Sequence, residues 1–470
     1  MIEFILNNKH IQTKEPPGKS LLDFIRYEMD LKGSKIGCRE GDCGACTVME
    51  GRLSNKELKY KTIVSCLTPL GNVQGKHIVT IEGLNMNHLS PAQKAIVDHG
   101  GTQCGFCTPG FVVSLTNHSL SKEAGNPDKA LAAIDGNICR CTGYKSIERA
   151  AKSLADSFAG KKNTPSNLVE RGYLPTYFAS IADRLQKLET NKKRSRSVAT
   201  ILGGGTDLLV QKADEIIEEE LGFLSEKKEL GGIKIQDDLC TIGAATTAAE
   251  ISNSSELQKY FPQLQSYFKL ISSTQIRNMG TLGGNLANAS PIGDLSIFFL
   301  ALDAELQLIN INKERRRIPL KDFFIDYKII DLKPDEHIEN IAFSFTESAE
   351  FFNFEKVSKR QHLDIASVNT ALRIRVKDDT IIEATLSAGG VSPVPLFLSR
   401  TATFLTGKKL NEKTILEANE VMQKEITPIS DIRGSETYKR LLLRQLFYAH
   451  FNGLKIQIPL LPGCKSGRAP

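Results

Sequence analysis

Residues 37–46 read Gly-Cys-Arg-Glu-Gly-Asp-Cys-Gly-Ala-Cys, so Cys38, Cys43 and Cys46 stand as C-x4-C-x2-C in a loop with glycines at 37, 41 and 44. A chain can bring three closely spaced thiols to one place only by curling round what they hold. Glycine permits the positive φ and close backbone approach this requires, and the curled N–H groups can then bond to sulfur. Cys66 follows a short alternating stretch, Lys59 to Val64, that predicts a strand. Three thiolates from one glycine-rich loop and a distant fourth is the spacing that holds a [2Fe–2S] cluster. The competing reading is a four-cysteine zinc site, which usually comes as two short C-x2-C pairs.

Working outward, residues 1–85 mix short strands (Glu3 to Leu6, Thr47 to Met49, Lys59 to Val64, His77 to Ile81) with one helix, Ser20 to Tyr27. Met1 to Glu15 alternates around Asn7-Asn8-Lys9 and predicts a β-hairpin, not a signal peptide. Residues 86–160 change character. Ser90-Pro91 predicts an N-cap with proline at N1, and apolar residues then recur at helical spacing through Ala92, Ile96, Phe111, Val112, Leu115 and Ala130 to Ile134. This helical module carries Cys104-Gly-Phe-Cys107 and Cys139-Arg-Cys141, with Thr108-Pro109-Gly110 and Thr142-Gly143-Tyr144 reading as breaks where thiolates meet helix N-termini. Alone, C-x2-C plus C-x-C suits zinc as well as iron; beside a first cluster site it reads as a second one-electron carrier.

The rest of the composition narrows the class. Of 10 Cys in 470 residues, eight lie between Cys38 and Cys141, leaving Cys240 and Cys464 as structural or incidental. Such clustering signals ligands, not a disulfide scaffold, and a reducing cytoplasm is expected. A formal charge of +6 from 60 basic and 54 acidic side chains is too dilute for nucleic acid. The basic run Lys192 to Arg196 reads as a solvated loop, and the apolar stretch Leu295 to Ile309, broken by Asp303 and Glu305, is too short to span a membrane. Residues 161–199 read as a linker with a helix near Phe178 to Leu188, residues 200–345 alternate strands and helices, and residues 346–460 end in helices from Glu412 to His450.

Two glycine loops mark the 200–345 region. Ile201-Leu-Gly-Gly-Gly-Thr-Asp-Leu208 follows a strand but lacks the G-x-G-x-x-G of a Rossmann turn; its N–H groups can still face a pyrophosphate. Gly280 to Asp294 is the second loop, and two such loops can clamp one extended dinucleotide. Ser290-Pro291 reads locally as an N-cap and N1 pair opening an apolar helix, Leu295 to Leu302.

Together, Gly37 to Cys46 with Cys66, Gln103 to Gly110, and Asn137-Ile-Cys-Arg-Cys-Thr-Gly-Tyr144 resemble the iron-sulfur domains of the molybdenum hydroxylases. The module order is most similar to that of the small subunits of bacterial xanthine dehydrogenases. The resemblance implies an α+β multidomain chain: a β-grasp ferredoxin-like domain, a helical-bundle domain, a two-part FAD-binding domain of vanillyl-alcohol-oxidase type, and a C-terminal flavoprotein domain. It implies two [2Fe–2S] clusters, on Cys38, Cys43, Cys46 and Cys66 and on Cys104, Cys107, Cys139 and Cys141. It places FAD against Leu202, Gly203, Gly204, Gly205, Thr206 and Asp207 and against Thr281, Gly284, Asn285 and Asp294. Ile271 stands where the family often has an aromatic ring. Lys356 to Ile365 resembles the loop beside the flavin where nicotinamide docks, with Lys356 toward the cofactor and Lys359, Arg360 and Asp364 bordering it; His362 reads as incidental. Gln103 and Arg140 are implied to face the pterin of a molybdopterin-binding large subunit, in a dimer of heterodimers. No general acid or base is expected here. The resemblance further implies NAD+ as electron acceptor and hypoxanthine or xanthine as the partner's substrate, with aldehydes, N-heterocycles or carbon monoxide as alternatives.

Overall fold

Asn7 takes φ +53, the left-handed turn that asparagine accepts, and closes the hairpin of β1 (Ile2–Leu6) and β2 (Lys9–Thr13). β3 (Thr47–Ser54), β4 (Glu57–Val64) and β5 (His77–Val79) complete a sheet of order β2-β1-β5-β3-β4 in which only β1 and β5 run parallel. All five residues of β1 are buried, because both faces of the sheet are covered. Phe4 and Leu6 meet Leu21, Leu22 and Phe24, whereas Ile5 meets Ile181, Leu185 and Leu188. The predicted helix after Ser20 is present; Ser20 caps it through Asp23 N–H, and it widens into a π turn over Phe24–Glu28.

The computed structural model describes residues 1–54, 57–161, 163–188, 200–224, 227–345, 350–360 and 363–454; Lys192 to Arg196, His362 and Cys464 lie outside them. These residues form two units. The first contains the sheet above and the helices Pro91–Asp98, Thr108–Ser119, Pro127–Ala133 and Lys145–Phe158, packed through Ile96, Phe111, Leu115, Ile147, Leu154 and Phe158. Ser90 and Gln93 form a reciprocal capping box at the start of the first helix, as the Ser-Pro pair predicts. The same unit takes in residues 161–227, including β6 (Thr200–Leu202) paired in parallel with β7 (Leu221–Phe223), and the short segment Ser272–Gly280. Residues between Phe178 and Leu188 therefore do more than link: the helix Ile181–Leu188 covers the outer face of the sheet.

The second unit holds an antiparallel sheet of order β11-β10-β14-β9-β8, from β8 (Ile233–Gln236), β9 (Leu239–Gly243), β10 (Glu305–Asn310), β11 (Arg315–Pro319) and β14 (Glu336–Ser344). The pair β12 (Phe324–Asp326) and β13 (Ile329–Ile330) forms a separate hairpin. A second sheet, β15 (Glu350–Val357), β16 (Val368–Lys377), β17 (Thr380–Gly389) and β18 (Leu396–Phe397), is covered by the helices Ser399–Leu405, Glu412–Glu425 and Glu436–Asn452.

One local expectation is corrected. Ser290-Pro291 does not open the apolar helix: Gly293 N–H closes a turn onto the Ser290 carbonyl, and the helix begins at Asp294 with Gly293 as its N-cap. The turn uses the Ser-Pro pair before any helical register is set. Among the described residues, no helix is long and apolar enough to cross a membrane.

Candidate cluster and flavin sites

The first loop is shaped by steric necessity. A Cβ on Gly37 would lie 2.6 Å from Cys43 Sγ, and Gly41 and Gly44 hold φ of +81 and +65. Arg39 also occupies the left-handed region, at φ +58, where its guanidinium forms a bidentate pair with Asp23 at 2.9 and 2.6 Å. This fork ties the loop to the first helix. The turn brings Cys38 beside Cys43 and places Cys46 Sγ 3.4 Å from Cys66 Sγ, where both are buried.

The thiols are already polarised. Hydrogen bonding from Cys43, together with backbone N–H groups including that of Glu40 at 3.4 Å, lowers Cys38 to about 4, while Cys43 is pushed up by the same shared proton. Cys46 is held low chiefly by its bond with Cys66, and Cys66 is correspondingly raised. Within each pair one thiol is thus favoured as thiolate while its partner keeps the proton.

The second set repeats the arrangement on a different scaffold. Cys107 is the N-cap of the helix Thr108–Ser119, and Cys139 and Cys141 precede the helix Lys145–Phe158. Cys141 Sγ lies 3.5 Å from Cys104 Sγ, and Cys107 bonds Cys139. Burial raises Cys107 to about 12; Cys139, also raised by burial, is brought below its usual value by the Thr142 hydroxyl at 3.1 Å and by backbone N–H groups. Cys104 is lowered by the Phe106 N–H and by Cys141. Cys104 and Cys141 are exposed, and so are Gln103, Phe106, Arg140 and Tyr144 around them.

All eight predicted ligands therefore converge, two by two. Two thiolates on one tetrahedral metal with bonds of about 2.3 Å sit about 3.8 Å apart, close to the separations of Cys46 from Cys66 and of Cys104 from Cys141, 3.4 and 3.5 Å. Among the described residues no three such ligands gather at a single ion position. Pairs of thiols suit a centre of two metal atoms, each taking two protein sulfurs. Cys240 is separate, a buried thiol raised to about 12 by desolvation, and packs in β9 as a small apolar residue.

Of the residues expected to meet FAD, Leu202 to Asp207 belong to the first unit and the others to the second. In the first, Leu202 ends β6 in the core, and the carbonyls of Gly203 and Gly204 accept from Asn72 Nδ2 at 3.1 and 3.4 Å. In a trans peptide the next N–H points the opposite way, so Gly204 and Gly205 present their N–H groups away from Asn72. Close packing fixes this loop: a Cβ on Gly204 would lie 2.1 Å from the Met279 carbonyl oxygen, and Gly205 holds φ +83 against Pro69. Thr206 and Asp207 follow at the start of the helix Leu208–Gln211. An N–H edge turned from Asn72 suits a diphosphate.

In the second unit, Thr281 caps the helix Leu282–Asn288 by accepting the Gly284 N–H at 3.2 Å, with Gly284 exposed and Asn285 half-buried on the next turn. Lys356 and Asp294 are brought together as a buried ion pair of 2.7 Å; Lys356 also donates to the Leu270 carbonyl at 2.8 Å, and Asp294 accepts from Asn369 at 2.7 Å. This cradle fixes the ends of β15, β16 and the Asp294 helix. Ile271 is 5% exposed and adds no ring. Lys359 donates to the Ile432 carbonyl at 3.1 Å, and Arg360 is paired with Asp364, so the charged loop is folded onto itself.

Sequence reasoning passed over Asn72, Asn137 and Gln275. Asn137 stands in the quoted motif beside Cys139, but nothing local reveals that its partners lie far along the chain.

Four family models match in the same order as these parts. A 2Fe-2S iron-sulfur cluster binding domain covers residues 4–71, a [2Fe-2S] binding domain 80–152, an FAD binding domain in molybdopterin dehydrogenase 174–343, and a CO dehydrogenase flavoprotein C-terminal domain 354–454. Xanthine dehydrogenase 1 of Arabidopsis thaliana is 28% identical over 92% of this chain, xanthine dehydrogenase of Emericella nidulans 29% over 97%, and aldehyde oxidase 4 of Mus musculus 27% over 97%. The chain spans only 38–39% of the length of these relatives. Among solved structures, a carbon monoxide dehydrogenase from Hydrogenophaga pseudoflava lacking the Mo-pyranopterin moiety of its cofactor matches with TM-score 0.52 and 26% identity, over 55% of this chain and 89% of that one.

Proposed function

We propose that this chain, whose four family-model matches are iron-sulfur and FAD-binding domains of the molybdenum hydroxylase type, serves as the electron-transfer subunit of a xanthine dehydrogenase. The observation that carries this reading is the pairing of eight thiols in two sets, within the same chain as two glycine loops suited to a dinucleotide. When bound, clusters supply one-electron carriers and a flavin converts between single electrons and hydride.

The chain's own residues do the holding and the ordering. Cys104, Cys107, Cys139 and Cys141 would hold the cluster nearer a molybdopterin-binding partner subunit, because that pair of loops opens to the surface. Cys38, Cys43, Cys46 and Cys66 would hold the second, whose inner pair is sealed from water by Leu67, Val48 and Val64. The Gly203 to Asp207 loop would take the FAD diphosphate, and Thr281, Gly284, Asn285 and the Lys356–Asp294 cradle its remaining polar groups. Lys359, Arg360 and Asp364 border the place assigned to NAD+. The assembly proposed is a dimer of heterodimers in the cytoplasm, oxidising hypoxanthine or xanthine in the partner. A second reading keeps every residue role and changes the partner's substrate to an aldehyde, an N-heterocycle or carbon monoxide; the similarity to an aldehyde oxidase and a carbon monoxide dehydrogenase favours it.

Co-expression with a molybdopterin-binding chain and a substrate screen tests the choice. Xanthine-dependent NAD+ reduction by the copurified complex is expected. Reduction of the clusters by aldehyde or carbon monoxide, with xanthine inert, would move the assignment to the second reading.

A further inference from the structure

The two thiol sets are joined by main chain. Ile138 N–H donates to the Cys43 carbonyl at 3.0 Å; Cys43 belongs to the first set, and Ile138 is covalently bonded to Cys139 of the second. Glycines permit this approach. A Cβ on Gly44 would lie 2.2 Å from the Gly136 carbonyl oxygen, and one on Gly110 would lie 2.3 Å from the Gly44 carbonyl oxygen.

Beside this bond sits Asn137, 4% exposed, with every polar position of its amide used. Its Nδ2 donates to the Gly44 carbonyl at 3.0 Å and the Thr47 hydroxyl at 3.3 Å; its Oδ1 accepts from the Ser114 hydroxyl at 2.8 Å and from Gln275 Nε2 at 3.1 Å. Those partners lie on three other segments of the chain. An amide that merely capped its own turn would bond locally; one that bonds to the loop of the first set from the loop of the second fixes the distance between them. Gln275 is wholly buried and reaches the junction over Gly136, where a Cβ would lie 1.8 Å from Gln275 Oε1. The Arg277–Asp135 ion pair, 2.8 Å and nearly buried, and the Thr274 N–H bond to Asp135 at 2.9 Å pin the same segment to the second loop.

We propose that the Ile138–Cys43 hydrogen bond is the route of electronic coupling between the two cluster sites, and that Asn137, backed by Gln275, is the positioning residue that keeps it formed. The proposal rests on the reading that both sets carry clusters. Coupling decays more slowly along covalent and hydrogen bonds than across a gap, and this route is covalent from Cys43 Sγ to its carbonyl and from Ile138 N to Cys139 Sγ. One set loses one electron and the other gains one; no bond breaks and no proton moves.

The test uses the full chain with its clusters, comparing wild type with Asn137→Ala, Gln275→Leu and, as control, Ser119→Ala, a buried serine of the same helix as Ser114 that donates to the Leu115 carbonyl at 3.1 Å. Electron paramagnetic resonance of the reduced protein reports each centre and the magnetic splitting between them, and flash photoreduction reports how fast an electron equilibrates between the sets. Asn137→Ala should slow equilibration severalfold, weaken the splitting and speed hydrogen exchange of the peptide containing Ile138, with the potential of each centre unmoved. Gln275→Leu should act in the same direction and less, and Ser119→Ala should leave the rate alone. An unchanged rate in Asn137→Ala with both centres intact overturns the proposal, as does an equal loss in Ser119→Ala. If Asn137→Ala fails to assemble, an unchanged rate in Gln275→Leu overturns it instead. Absence of two distinct signals in wild type would defeat the functional reading and this proposal with it, whereas an unchanged rate between two intact centres defeats this proposal alone.

Discussion

The two four-cysteine loops solve one problem with opposite materials. The first takes three thiols from a glycine loop and one from beyond a strand, and buries Cys46 and Cys66 in the core of a sheet. The second takes its thiols from helix ends and leaves Cys104 and Cys141 exposed. A sheet core can seal a site from water, whereas helix termini present N–H groups at a surface. Under the proposed function, the exposed pair suits the end where a partner would deliver electrons, and the sealed pair suits an interior station.

The strongest way to break this comparison is to remove one thiol from each set. Cys46→Ser should abolish the first cluster and destabilise its domain, because site assembly is coupled to folding and the sulfur is buried. Cys104→Ser should abolish only the second cluster and leave the fold intact, since its side chain is exposed. Iron content, visible absorbance and melting of the two variants check both outcomes; equal melting losses would erase the contrast.

A smaller effect comes from the contact between the loops. Gly44→Ala forces a side chain onto φ +65 and into the Gly136 carbonyl oxygen at 2.2 Å. The left-handed backbone alone costs about 1–2 kcal/mol, and the clash adds to it. Denaturant melts should show more than that loss, and only the backbone cost for alanine at Gly75, which holds φ +68 but has nothing within 4 Å of the added carbon.

The smallest contrast is one of pH. Burial alone would raise the Glu50 carboxyl in β3, but Lys61 at 3.5 Å and Lys76 at 3.1 Å bring it down from 4.5 to about 2. A carboxylate depressed in the folded state stabilises fully above its unfolded value and loses that contribution as pH falls through its folded one. Stability of the first domain should therefore decline from about pH 4.5 toward about 2. Glu50→Gln should flatten that slope. Thermal melts across that range check the sign.

Much of this was legible in the chain. Glycines 37, 41 and 44 and the cysteine spacing announced the first loop, and the Ser90-Pro91 cap and helical period announced the second module, because turn, cap and ligand chemistry are local. The hidden parts depend on distant partners. Gln275 lies 138 residues from Asn137, and Lys61 donates to a carbonyl 217 residues away. No spacing rule reports that Ser272–Gly280 packs with the cluster domains, or that Ile181–Leu188 covers the sheet. Asp294 was legible as the end of the second glycine loop and Lys356 only through the family resemblance; their mutual bond required the folded second unit.

The central claim, two clusters each held by four thiolates in pairs, is tested most directly by metal and sulfide analysis with electron paramagnetic resonance on the reduced full chain. The account predicts iron and labile sulfide in equal amounts, flavin, and two distinguishable signals, of which Cys46→Ser and Cys104→Ser each remove one. Zinc in place of iron, or a single signal lost in both variants, would contradict it.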